Sequence, residues 1–171
     1  MVADGLGAQA LKAQFGDRFQ DQWQIADRHV LVQQQPQHGQ QHVDRNLVGD
    51  QLVDQAADAV VIATPEYNKA PPGVLKNALD WVSRVPGAVW RDRPVAIVSA
   101  AAGRAGGERA QYALRLWLMP FRARVLPGPE VLVADAANAF AEDGRLVSER
   151  YDRALGELMA DLRRMSLPPE G

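Results

Sequence analysis

From about residue 44 onward the chain alternates short apolar runs with stretches of helical periodicity. Ala59-Val60-Val61-Ile62-Ala63 is continuous, apolar and rich in β-branched residues, the pattern of a strand buried on both faces. Pro94-Val95-Ala96-Ile97-Val98-Ser99 repeats it, and so does Glu130-Val131-Leu132-Val133. In Gly73 to Arg84, Leu75, Ala78, Leu79 and Val82 recur at i, i+3, i+4 and i+7, which predicts an amphipathic helix. In Glu108 to Met119 the matching face carries Ala110, Ala113, Leu114 and Trp117, and Pro120 stops the run. A last helix is expected over Ser148 to Met165. Ser148 would be its N-cap, and Tyr151, Leu155, Leu158, Met159 and Leu162 its apolar stripe.

Strands separated by helices imply parallel pairing, right-handed crossovers and helices on both faces of the sheet. Ligands of such sheets bind beyond the carboxyl ends of the strands, so the loops that matter begin at Thr64 and Ser99. The expected fold class is α/β, a three-layer sandwich around a parallel sheet.

The first 43 residues follow a different pattern. Eleven glutamines fall between Gln9 and Gln41, and the three histidines His29, His38 and His42 lie here too. Only Val30-Leu31-Val32 offers a strand, and Leu11 to Trp23 a poor helix. Three units follow: an atypical Gln/His-rich segment over residues 1–43, the α/β domain over 44–165, and a tail over 166–171. His38 and His42 are spaced as helical metal ligands, but Gly39 between them weakens any helix, so no metal site is assigned.

Composition narrows the function. The 171 residues suit one domain, and 19 Lys+Arg against 21 Asp+Glu give a net charge of −2, no basic field for a nucleic acid. Cysteine is absent, which excludes disulfides, thiolate catalysis and iron–sulfur ligation. No apolar run reaches the roughly 20 residues of a membrane helix, and the opening residues do not resemble a secretory signal, so a cytoplasmic protein is expected.

The first loop is Thr64-Pro65-Glu66-Tyr67-Asn68, leading through Lys69-Ala70-Pro71-Pro72-Gly73 into Val74-Leu75-Lys76-Asn77-Ala78-Leu79-Asp80-Trp81. Pro65 ends the strand, and an Asn amide beside a Tyr ring can hydrogen-bond and stack on a flat heterocycle; a plain surface turn would use the same residue types. The second loop, Ser99 to Gly107, is glycine-rich and opens a helix, whose N-terminal amides can approach a ligand; a tight strand-to-helix turn would also read this way. It is neither a P-loop nor a G-x-G-x-x-G fingerprint.

Taken in order, the two loops are more specific. The run from Thr64 to Arg84 closely resembles the signature T-P-E-Y-N…P-G-x-L-K-N-A-[IL]-D-W-x-S-R of the NADPH-dependent FMN reductase family, relatives of quinone, chromate and azo-dye reductases. The second loop resembles that family's G-x-S-x-G-x-x-G-G segment, with Ala110-Gln111 following, and Val125 to Val131 and Phe140 to Val147 resemble its last strand and acidic-Gly connection. The resemblance implies a flavodoxin-like fold with five parallel strands and FMN at their ends. Pro65, Glu66, Tyr67 and Asn68 would hold the edge and face of the isoalloxazine ring, and Ala101, Gly103, Arg104 and Gly106 would line its other side. It further implies NADPH, or NADH, as co-substrate, a small-molecule electron acceptor, and a ping-pong cycle with no protein nucleophile or catalytic base. Arg104 is the candidate partner of the NADPH phosphate. A homodimer or homotetramer is implied through the helix after the first loop, where Leu75, Trp81 and Val82 are either interface or core; Trp81 lies off the buried stripe.

The sequence departs from this family at three places. The usual opening strand and G-S-x-R-x-x-S-x-N-x-x-L phosphate segment are not recognisable, since Gly5-Leu6-Gly7-Ala8-Gln9 lacks the serines and the arginine. Ala101 stands where the second loop usually has serine, and Lys69-Ala70 replaces the commoner Gly-Ser. Either residues 1–43 are out of frame or replaced, or Leu11 to Gln24 and Val30-Leu31-Val32 are the helix and strand of a divergent member. The alternative to an enzyme is a flavodoxin-like remnant or interaction subunit with weak or no FMN binding.

Overall fold

Two unbroken apolar runs form the middle of the sheet, as their composition requires. In the computed structural model, which describes residues 30–33, 57–142 and 144–167, they are β2 (Ala59–Thr64) and β3 (Pro94–Ala100), and all but the last residue of the pair are buried. They run parallel in a register that sets Val60 beside Val95 and Thr64 beside Ser99. β1 (Val30–Gln33) lies parallel to β2 on its other flank, with Val30 beside Ala59 and Gln33 beside Ile62. The one apolar triplet of the glutamine-rich segment is therefore a strand of the domain sheet.

The far flank of β3 is shared by two short strands. β4 (Arg124–Val125) pairs with its first residues, and β5 (Val131–Val133) pairs with Val98 to Ala100. Between them lie Pro127 and Pro129, which have no N–H to give to a ladder. Among the described residues the sheet thus has five parallel strands, as expected, but two of them occupy one position. β4 is too short for any periodicity to announce it.

Helices cover both faces. α1 (Gly73–Val82) and α2 (Glu108–Leu118) pack on Val60, Ile62, Val95 and Ile97, and α3 (Glu149–Ser166) packs on Val61, Ala63, Val98 and Val133. The α1 stripe is the expected one: Leu75, Ala78, Leu79 and Val82 are all buried, so Leu75 and Val82 are core, whereas Trp81 is 58% exposed. Each such Leu or Val contributes about 1.5–3 kcal/mol by leaving water. α2 differs from expectation. It buries Ala110, Gln111, Leu114 and Leu118, leaving Ala113 and Trp117 half-buried, because the sheet receives a polar side chain at Gln111. α3 buries Leu155, Leu158, Met159 and Leu162. Ser148 occupies its N-cap position without a side-chain hydrogen bond.

The helix expected over Leu11 to Trp23, the Gly5–Gln9 segment, the three histidines, the boundary at residues 43/44 and the end of the tail lie outside the described residues. Among the described residues no helix is long and apolar enough to cross a membrane.

Candidate functional site

The pairing of Thr64 with Ser99 fixes the site, because it makes the two loops leave the sheet side by side at its carboxyl edge. In the first loop Pro65 and Glu66 are half-buried, and Tyr67, Asn68 and Lys69 are exposed, Tyr67 by 53%. Tyr67 and Ala70 exchange two backbone hydrogen bonds, of 2.9 and 3.1 Å, across a two-residue turn. Both central residues are left-handed, Asn68 with φ 51° and Lys69 with φ 70°. Asn tolerates that region; Lys does so less readily.

The second loop is held by its backbone and its neighbours. Ala101 donates its N–H to the Val133 carbonyl at 3.0 Å and accepts from Ala136 at 3.2 Å, which binds the loop to β5. Gly106, with φ 60°, packs so closely on β5 that a Cβ would stand 2.4 Å from the Leu132 carbonyl group. Gly107 would bring a Cβ to 2.8 Å from the Ser99 side chain. Gly103 is unlike both. A Cβ there would meet nothing within 4 Å, and Gly103, like Arg104, is open to solvent.

Two polar side chains that sequence reasoning did not single out lie beneath the loops. Buried Gln111 donates through Nε2 to Ser99 Oγ at 2.9 Å and to the Val131 carbonyl at 3.0 Å, and Ser99 Oγ donates to the Gly106 carbonyl at 2.6 Å. The Gln111 Oε1 has no partner among the described residues. Glu66 accepts the Ala110 N–H through Oε2 at 3.1 Å, reaching from the first loop to the first turn of α2. With Glu108 N–H bonded to Ala105, two of the α2 amides that sequence alone would have left for a ligand are already taken by the protein. Further along α2, the exposed Tyr112 phenol is raised above its ordinary range by the Glu130 carboxylate first and the Glu108 carboxylate second.

All eight sequence-derived residues therefore sit on adjacent loops at one sheet edge. What they present suits a flat, partly polar ring: an aromatic side chain, an amide, backbone groups, and open space over Gly103 that a side chain would fill. A separate hollow of about 130 Å³, lined by Val85, Trp90, Pro120 and Phe121 among others, lies in the segments that precede β3 and β4, at the opposite end of the sheet.

The parallel sheet with helices on both faces is a flavodoxin-like fold. This chain belongs to the NADPH-dependent FMN reductase family, whose model matches residues 12–138. The match begins inside the glutamine-rich segment and includes β1. Among its relatives is the NAD(P)H-dependent FMN reductase PA1204 of Pseudomonas aeruginosa, 50% identical over 95 residues, 56% of this chain and 51% of that protein. The quinone reductase of Escherichia coli K12 is 40% identical over 103 residues, 60% of this chain and 49% of that protein. The structure of FerB, a flavoenzyme NAD(P)H:(acceptor) oxidoreductase from Paracoccus denitrificans, superposes with a TM-score of 0.55 at 31% identity, covering 66% of this chain and 60% of that one. The chain thus spans about half the length of the curated relatives it matches.

Proposed function

We propose that this chain is a flavin-dependent oxidoreductase that uses NAD(P)H to reduce a quinone, a flavin or a similar small acceptor. The single observation that carries this reading is the Thr64–Ser99 register, which sets the two family loops side by side with open space over Gly103. Pro65, Glu66, Tyr67 and Asn68 form one wall of the crevice, with Tyr67 and Asn68 offering ring and amide to the isoalloxazine. Ala101, Gly103, Arg104 and Gly106 form the other, Gly103 leaving room for close approach and Gly106 pinning the loop to β5.

Bound FMN would supply the two-electron chemistry, alternately accepting hydride from NAD(P)H and reducing the acceptor, in a ping-pong cycle. The protein's part is then position and electrostatics. Arg104, exposed at the rim, is the candidate partner of the anionic end of the nicotinamide cofactor. Neither half-reaction asks a side chain to act as nucleophile. The exposed Trp81, on the outer side of α1, supports a homodimer or homotetramer.

The test is titration of the purified chain with FMN, followed by anaerobic NADPH and then a quinone. A flavin that binds, bleaches with NADPH and recovers its colour with quinone supports the reading. Protein that stays colourless in excess FMN sinks it and leaves a non-catalytic relative.

A further inference from the structure

We infer that Glu66 is a positioning residue that joins the two crevice loops through the first turn of α2, an inference that rests on the flavin reading above. α2 begins without a side-chain cap of its own: its N-cap is Gly107, left-handed at φ 92°. The missing cap comes from 44 residues away, where the half-buried Glu66 carboxylate accepts the Ala110 N–H. A carboxylate there satisfies an amide with no intrahelical partner and faces the positive end of the helix dipole.

Gly107 sits where the first loop, the second loop and β3 meet: a Cβ on it would stand 2.8 Å from Ser99, and 3.8 Å, an ordinary contact distance, from the Glu66 Cβ. Tyr67 and Asn68 follow directly on one side of this bridge. On the other side the second loop is tied to the same helix turn through Gly106, Ser99 and Gln111. The Glu66 side chain therefore sets the distance between the walls and acts on the flavin through α2. Its charge also occupies the helix terminus, so a ligand anion gains less there than the glycine-rich entry suggests.

The experiment compares Glu66→Ala and Glu66→Gln with the intact chain, and uses Leu162→Val, in the core on the opposite sheet face, as a control of general destabilisation. FMN affinity is read from quenching of flavin fluorescence, and the bridge from hydrogen exchange at the Ala110 amide. Glu66→Ala is expected to weaken FMN roughly tenfold and to speed exchange at Ala110, as loss of a charge-assisted hydrogen bond implies. Glu66→Gln, whose amide oxygen still accepts the bond, stays within about threefold on both readouts, and Leu162→Val lowers the melting temperature without changing FMN affinity. Unchanged FMN affinity in Glu66→Ala overturns the inference, as does Glu66→Gln damaged as badly as Ala. If Glu66→Ala does not fold, Glu66→Gln decides: near-native affinity with slow Ala110 exchange supports the bridge, and a tenfold loss overturns it. An intact chain that binds no FMN overturns the flavin reading instead, and Ala110 exchange in the variants still decides whether the bridge exists.

Discussion

Lys69 holds a backbone conformation that suits glycine better. Its φ of 70° places it in the left-handed region, in a turn closed by two hydrogen bonds in the loop that follows β2. That region costs an L-residue about 1–2 kcal/mol, and glycine gives back roughly 0.5–1 kcal/mol of this in chain entropy. Lys69→Gly should therefore stabilise the fold by up to about 1 kcal/mol in urea, and a loss would mean that the lysine stem packs more usefully than its strain costs. The second-loop glycines divide the same way. Gly106→Ala forces a Cβ to 2.4 Å from backbone and should cost more than about 2 kcal/mol. Gly103→Ala meets nothing within 4 Å, so stability should hold within about 0.5 kcal/mol while FMN affinity falls. Equal destabilisation by the two would place Gly103 in the scaffold rather than on the ligand side.

Elements were legible where burial leaves a local pattern. β2 and β3 announce themselves as unbroken apolar runs because both faces are covered, and the α1 and α3 stripes show the 3.6-residue period of one covered face. α2 was misread on one side because periodicity cannot distinguish a glutamine facing the sheet from one facing water. Nor could any local pattern reveal that Glu66 caps a helix 44 residues on, although the alternation of strands and helices sets both loops at one sheet edge. Gln111 provides a test at this scale, since it joins α2, β3 and β5 while its Oε1 lacks a partner. Gln111→Leu removes the unsatisfied oxygen along with two bonds and should cost about 1–3 kcal/mol. Gln111→Glu turns a buried carboxylate toward the Val131 carbonyl and should cost more than about 3 kcal/mol at neutral pH. Equilibrium unfolding of the pair checks the order. Glutamate tolerated as well as leucine would mean that water reaches this site.

For the whole molecule, the question is which part of the flavin the protein holds. The ring-side loops are built by the sheet itself: β2 and β3 end level, Glu66 and Gln111 tie the loops to α2, and Gly106 presses the second loop onto β5. None of that depends on phosphate. The sequence that would be expected to hold the phosphate, Gly5-Leu6-Gly7-Ala8-Gln9, has no serine or arginine to offer it. A charge-assisted hydrogen bond to a phosphate oxygen contributes about 1.5–3 kcal/mol, so each donor of that kind would favour FMN over riboflavin by roughly 10- to 100-fold. With no such donor in Gly5–Gln9, the chain should bind riboflavin within about tenfold of FMN, and raising the salt concentration should change the ratio little. Parallel fluorescence titrations of the two flavins decide the matter. A preference above roughly 100-fold would mean that other residues have taken over the phosphate, and that the glutamine-rich segment completes the site as well as the sheet.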